Sequence, residues 1–287
     1  MKKILITGSS GYVGRQLSLY LSKKHKVFCF NRKKSSKINK KISYYVYPKN
    51  INDYANFLKK KKIDVIIHSA GFFVANNNYL DVDKLIDVDV KKTLYLLEAA
   101  KLANVKNFIS LGSYFQFSEL NSKFSPTNLY AATKQSINTV SMHYSKNYKI
   151  NFVQLIIFDT YGKKDKRNKI INSLVKLKKN SKFTINNPNN YFFPVYISDL
   201  CDAIEISINY LSKSLRTVNK QFFIKPSKGF TIYELVNIIS KLKKINFTNL
   251  IYLKQIKKNK LSIKLNVPIL PNWKPKVKFH DGIKKLI

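Results

Sequence analysis

The 287-residue chain carries 53 Lys+Arg against 15 Asp+Glu, a formal net charge of +38, with 45% hydrophobic and 13% aromatic residues and only two cysteines. That much apolar material excludes a disordered chain, the cysteine count excludes a disulfide scaffold and suits a reducing, cytoplasmic setting, and no run approaches the roughly 18 apolar residues of a membrane span. The lysines are dispersed and accompanied by no zinc-finger, RNP or basic-helix pattern, so the charge reads as solvated lysine faces rather than a nucleic-acid footprint.

Residues 3–7 read as a buried strand; Ile4-Leu5-Ile6 is too short for the apolar region of a signal peptide. Thr7-Gly8-Ser9-Ser10-Gly11-Tyr12-Val13-Gly14 then forms a T-G-x-x-G-x-x-G turn into a helix from Tyr12 to about Lys24. Gly8 suits the tight turn, Gly11 lets backbone approach a pyrophosphate, and Gly14 permits close helix–strand packing. The helix start offers N–H donors to phosphate, so Ser10, Tyr12 and Val13 join the glycines as candidate dinucleotide contacts. A second strand, Lys26–Phe30, runs into Asn31-Arg32-Lys33-Lys34. An NAD-preferring site usually has a carboxylate there for the ribose hydroxyls. Asn31 and Arg32 favour NADP(H) over NAD(H), because a guanidinium suits a 2′-phosphate.

A helix over 53–62, a strand at Ile63–His68, a long helix over 82–104 and a strand at Asn107–Gly112 follow. A helix from about Asn128 to Asn147 and a strand at Asn151–Phe158 complete the series. Short apolar strands alternating with helices predict an α/β fold, a Rossmann-type doubly wound parallel sheet. Beyond it we expect a helix over 167–179, an Asn/Pro-rich segment at 186–194 and a strand-to-helix step at Val195–Leu211. Thr231 and Glu234 form a capping box opening a helix through Leu242. The lysine-rich stretch 254–264 reads as solvated surface. The division expected is a dinucleotide-binding domain over 1–158 and a smaller substrate lobe over 159–287, with 190–211 returning to the first.

Tyr130 and Lys134 lie at i and i+4, on one helix face. An ammonium beside a phenol stabilises the phenolate, which should lower a pKa that is near 10 when free. The same ammonium can bond a nicotinamide ribose. Ser113, at a strand end, is placed to polarise a substrate carbonyl. No His/Cys/Asp cluster has metal spacing, and His68 reads as structural support.

These motifs together resemble the extended short-chain dehydrogenase/reductases of the NAD-dependent epimerase/dehydratase family. His68-Ser69-Ala70-Gly71 is similar to its H-x-A-A, Asp89-Val90-Lys91-Lys92-Thr93 to its N-V-x-G-T, and Asp159-Thr160-Tyr161-Gly162 and Tyr196–Leu200 to two later segments. Within the family, Leu111–Gln116, Asn128–Gln135 and Phe158–Lys169 resemble the CDP-abequose/CDP-paratose synthase type. The resemblance implies catalysis by Ser113, Tyr130 and Lys134 and further cofactor contacts at Asn50, Ile51, Ser69, Ala70 and Gly71. It implies substrate contacts at Phe115, Gln116 and Asp159, a nucleotide-sugar partner, and a homodimer through the helices at 82–104 and 128–147.

The departures narrow this expectation. The family's dehydratases place an acidic pair after the catalytic Ser/Thr, where this chain has Tyr114 and Phe115. Asp89 stands where the family has Asn. Leu155-Ile156-Ile157 and Tyr191-Phe192-Phe193 replace the usual arginine-bearing segments, leaving Arg167 and Lys169 as candidate phosphate contacts. The expected activity is NAD(P)H-dependent reduction of a CDP- or dTDP-linked 4-keto deoxysugar in surface-polysaccharide synthesis. The alternatives are an NAD-dependent sugar-nucleotide epimerase and a non-catalytic dinucleotide- or RNA-binding relative.

Overall fold

The computed structural model describes residues 1–33, 41–74, 78–117, 124–247, 250–252 and 267–287. Lys34 of the basic run and the stretch 254–264 lie outside the described residues. The first half alternates as expected. β1 (Lys3–Thr7), α1 (Tyr12–Leu21) and β2 (Lys26–Asn31) are followed by β3 (Ile42–Val46), α2 (Ile51–Lys61) and β4 (Val65–His68). Next come α3 (Asp81–Leu85), a π-helical segment (Ile86–Lys91), α4 (Lys92–Leu102), β5 (Asn107–Ser113), a 3₁₀ turn (Tyr114–Gln116), α5 (Leu129–Tyr148) and β6 (Asn151–Ile157). The second half contains β7 (Thr160–Tyr161), α6 (Ile170–Lys176), β8 (Phe183–Ile185), β9 (Tyr191–Phe192), β10 (Val195–Tyr196) and α7 (Ile197–Lys213). It closes with β11 (Asn219–Ile224), β12 (Phe230–Thr231), α8 (Ile232–Lys243), β13 (Leu250–Tyr252) and α9 (Phe279–Lys284).

Seven strands form one sheet in the order β11-β6-β5-β4-β1-β2-β3, every pair parallel. Order reverses between β1 and β4, which opens a crevice at the carboxyl ends of those strands. Both faces are covered, so alternate residues of one strand enter different cores. Ile4 and Ile6 pack with Leu17 and Leu21 of α1 and with α7, whereas Leu5 packs with Tyr54 of α2, Leu96 of α4 and Ile137 of α5. Burying each such side chain stabilises by about 1.5–3 kcal/mol. The first core continues into the second half through Leu174, Ile232, Leu235 and Trp273. α7 packs on α1, β5 and β6, and β11 adds a seventh strand, so the return to the sheet extends past 211.

Two strands depart from the expected series. β3 is an edge strand that is mostly half-exposed, and it stands among lysines with no clean alternation. β11 begins Asn-Lys-Gln and becomes apolar only at Phe222. The helix expected over 82–104 is interrupted by the π segment, which carries the wholly buried Asp89. The helix expected over 167–179 is confined to Ile170–Lys176, while Thr231 and Glu234 do form a reciprocal capping box.

The tail docks through Trp273, whose Nε1 donates to the carbonyl of Asp199 at 2.8 Å, and through α9, where Gly282 lies under Tyr161. A Cβ on Gly282 would stand 2.1 Å from the Tyr161 hydroxyl, and Tyr161 is only 2% exposed. Gly282→Ala is therefore expected to destabilise the protein by about 1–3 kcal/mol through overpacking, read as a lower urea midpoint at unchanged slope.

Candidate active site

The glycine turn is built to receive a phosphate. Gly8 has φ +73°, and a Cβ there would meet the Ala70 backbone at 2.6 Å, so only glycine serves. Gly11 is the N-cap of α1 and contributes no side-chain cap. No acidic residue stands in the first turn, and Ser10 and Gly11 are exposed. The N–H groups of the helix start thus have no side-chain cap, which fits the pyrophosphate of a dinucleotide. Tyr12 and Val13 are half-buried on that first turn, and Gly14 packs against Gly8. At the end of β2, buried Asn31 accepts from Ser9 Oγ at 2.7 Å, and Arg32 is exposed beside it. Asn50 caps α2 through the Asp53 N–H at 2.9 Å, and Ile51 opens that helix.

A chain of hydrogen bonds crosses the crevice below this turn. Thr7 Oγ1 lies 2.8 Å from His68 Nδ1, and His68 Nε2 lies 3.0 Å from Thr93 Oγ1. Thr93 donates its own proton to the Asp89 carbonyl at 2.7 Å. The network therefore assigns the proton to His68 Nε2, which donates to Thr93, and makes Nδ1 the acceptor from Thr7. Ser69 Oγ adds a 2.6 Å bond to the Thr7 carbonyl.

α5 starts at the Asn128 cap, whose side chain accepts from Ala131 N at 2.9 Å, and so places Tyr130 and Lys134 in its first turns. Lys134 Nζ stands 2.9 Å from Asp89 Oδ1 and donates to the Ala70 carbonyl at 3.1 Å. It also lies 5.7 Å from the Tyr130 ring centre and against Gly71. Burial alone would lower the Lys134 pKa, but Asp89, and then Tyr130, raise it above the ordinary value, so it is a firm cation. Tyr130 departs from the expectation of a lowered phenol. Burial raises its pKa, Lys134 and Arg167 oppose, Asp89 adds to the rise, and the net direction is upward. Tyr130 is a neutral phenol here. The isolated Tyr–Lys pair suggested the reverse because Asp89, the third charge, is remote in sequence.

Ser113 ends β5 and is 6% exposed. Its N–H donates to Gln116 Oε1 at 2.8 Å and its Oγ accepts from Phe115 N at 3.3 Å. Gln116 is not brought to the cleft. It is wholly buried, and its Nε2 bonds Gln135 at 2.6 Å and Gln154 at 3.3 Å, in a glutamine network that also includes Gln221. Sequence reasoning missed this network, since four glutamines on separate elements show no spacing signal.

Aromatic rings gather beside Tyr130. Phe73 meets Tyr130 edge-on at 5.2 Å and Phe115 at 6.0 Å, and Tyr114 stacks on Phe115 at 4.2 Å and on Phe158 at 5.2 Å. Lys169 Nζ sits 3.8 Å above the Phe73 ring rather than on a carboxylate, and burial lowers its pKa, with Arg167 adding to that and Asp159 opposing. Asp159 accepts from Phe193 N at 3.3 Å and is raised to about 6 by burial. Arg167 is not brought in as a free fork. Its Nε and Nη2 grip Asp165 at 2.9 and 2.8 Å, and the guanidinium lies 4.7 Å over the Tyr12 ring. Among the described residues no group of three His, Cys, Asp or Glu side chains could hold a metal ion, and no helix is long and apolar enough to cross a membrane.

His68 is held neutral, its pKa pushed down to about 3 by burial and then by the Lys134 and Lys92 charges. Between its ordinary value near ~6.5 and that depressed one, the unfolded chain binds a proton that the folded chain refuses, so this contribution to stability falls as pH drops through that window. Asp159 works oppositely as pH falls from about 6 toward its ordinary 3.8. We expect His68→Gln, although less stable at neutral pH, to lose about 1–2 kcal/mol less than the parent between about pH 7 and about pH 5, measured by urea denaturation.

The model of the NAD dependent epimerase/dehydratase family matches residues 4–218. A dTDP-D-glucose 4,6-dehydratase of Dictyostelium discoideum is 30% identical over 72% of this chain, and the match spans 55% of that enzyme's length. A CDP-abequose synthase of Yersinia pseudotuberculosis is 26% identical over 86% of each chain. In fold, a UDP-glucuronic acid 4-epimerase from Bacillus cereus, solved with UDP-glucuronic acid and NAD, superposes with a TM-score of 0.80 at 20% identity, over 98% of this chain and 96% of the other.

Proposed function

The chain belongs to the NAD-dependent epimerase/dehydratase family of sugar-nucleotide-modifying enzymes, and we propose that it reduces a 4-keto deoxysugar nucleotide with NADPH as hydride donor. The observation that carries this reading lies directly after Ser113. Tyr114 and Phe115 stack on one another where the family's dehydratases hold an acidic pair, so no carboxylate adjoins the serine to draw water out of a sugar. What the site retains is the equipment for carbonyl–alcohol chemistry, and the likeness to the CDP-abequose synthase supports the same reading.

A bound nicotinamide supplies or takes up hydride. The chain's own groups do the rest. The Ser113 hydroxyl donates to the ketone oxygen and stabilises the negative charge that develops there. Tyr130, a neutral phenol, delivers its proton to that oxygen. Lys134, anchored by Asp89 and the Ala70 carbonyl, holds a fixed positive charge beside the phenolate left behind, and an N–H of the same ammonium suits a ribose hydroxyl. The aromatic shelf of Phe73, Phe115, Tyr114 and Phe158 excludes water from the reacting face. Lys169 is the candidate contact for substrate phosphate, and Asp159 the candidate acceptor for a sugar hydroxyl. A homodimer through α4 and α5 is part of the proposal.

The reading is tested by offering purified protein 4-keto-6-deoxy and 4-keto-3,6-dideoxy sugar nucleotides with NADPH and following nicotinamide absorbance. Stoichiometric NADPH oxidation is expected, with Tyr130→Phe slower by about 10²–10⁴-fold in kcat. Protein that carries tightly bound NAD⁺ and interconverts sugars without added coenzyme would establish the epimerase alternative instead. The coenzyme preference rests on Arg32 and on the missing carboxylate at the end of β2. Arg32→Ala is expected to raise KM for NADPH about tenfold while leaving KM for NADH within about twofold, in steady-state kinetics with each coenzyme.

A further inference from the structure

The π segment between α3 and α4 turns Asp89 inward, and its carboxylate is wholly buried against the Lys134 ammonium at 2.9 Å. Thr133 Oγ1 approaches the other carboxylate oxygen at 3.4 Å, and the Thr7–His68–Thr93 chain ends on the Asp89 carbonyl. The residue is therefore held directly from α4 and α5, with β4 and β1 behind Thr93. A buried carboxylate survives only with a partner, and here its partner is the group that governs the catalytic phenol. We propose that Asp89 is a positioning residue that compensates the Lys134 charge and so keeps Tyr130 protonated, extending ketone reduction to more alkaline pH than the Tyr–Lys pair alone would allow. The inference rests on the reductase reading for its kinetic consequence, but not for its effect on Tyr130.

The charged groups facing Tyr130 sustain the argument. Lys134 lies on the same helix. Arg167 approaches from the loop after β7, but its guanidinium is already paired with Asp165. Lys169 Nζ sits 3.8 Å over the Phe73 ring, which itself meets Tyr130 edge-on. Ser113 is uncharged, and His68, beside Lys134, is neutral. Asp89 is thus the carboxylate that offsets the nearest cation; burial is the first cause of the raised Tyr130 pKa, and Asp89 acts in the same direction against Lys134. In the step itself, the ketone carbon gains hydride as reduced nicotinamide becomes oxidised, and the C=O π pair becomes an alkoxide lone pair. The Tyr130 O–H bond then breaks as its proton passes to that oxygen, and solvent later reprotonates the phenolate. With an uncompensated Lys134 the phenol would ionise at lower pH and the alkaline limb of the rate profile would begin earlier.

The test compares the full-length parent with Asp89→Asn, which preserves shape and the Thr133 contact. Tyr130 is titrated by near-ultraviolet difference absorbance against Tyr130→Phe, and the pH dependence of NADPH-driven reduction is recorded in parallel. The expected result is a downward move of both the Tyr130 titration and the alkaline limb by about one pH unit in Asp89→Asn. A folded variant in which neither moves assigns Asp89 a purely structural role and overturns the proposal. If Asp89→Asn fails to fold, the parent alone decides, because Tyr130 titrating at or below the ordinary value near ~10 contradicts the inference. If no ketone is reduced at all, the reductase reading fails while the absorbance titration still judges Asp89.

Discussion

The buried His68 clasp is the constraint on which the site depends. β1 and β4 pair in parallel up to Thr7 and His68, at the point where strand order reverses and the chain leaves the two strands toward different helices. A neutral imidazole bridges them, accepting from Thr7 and donating to Thr93, and Ser69 closes the gap again through the Thr7 carbonyl. The bridge favours a neutral ring, since a second ring proton would force the Thr7 hydroxyl to turn from donor to acceptor. Deep burial and the nearby ammonium of Lys134 enforce that state. Through Thr93 the same bridge fixes the backbone of Asp89, and through Asp89 the charge of Lys134. The geometry of the glycine turn and the protonation of Tyr130 are therefore linked by a few short hydrogen bonds and the Asp89–Lys134 ion pair.

Charge is managed locally in a chain whose global balance is strongly basic. Lys134 is matched by Asp89 and Arg167 by Asp165, two of the few carboxylates the chain has, and both ion pairs place an acid where no water reaches it. Lys169, among the described residues, has no carboxylate at ion-pair distance and covers an aromatic face instead. The remaining lysines are largely on solvated faces. Two acids thus stand where an uncompensated cation would be costly.

Much of this was legible in the sequence, for reasons that can be named. The glycine turn is a local object, because its spacing states which residues must lack a Cβ and where the helix must start. The alternation of apolar strands and helices pointed to the parallel sheet, since a strand buried on both faces has few other readings. Tyr130 and Lys134 share a helix face by periodicity alone. Less was legible where a function is assembled from distant pieces. Arg167 reads as a free phosphate fork until Asp165, two residues away, is seen to fill it. Gln116 reads as a cleft residue until its amide is found shared with Gln135 and Gln154. β3 and β11 escaped because an edge strand and a strand with a polar first half carry neither period cleanly.

The sequence by itself determined the α/β architecture and singled out the glycine turn and the candidate residues Ser113, Tyr130 and Lys134, because each motif is written in residues close together along the chain. The tertiary structure alone decided the protonation state of Tyr130. That state is a balance of burial and Asp89 against Lys134 and Arg167, and Lys134 and Asp89 are 45 residues apart in the chain and 2.9 Å apart in space. Coulomb energy depends on that second separation, and no spacing along the chain reports it.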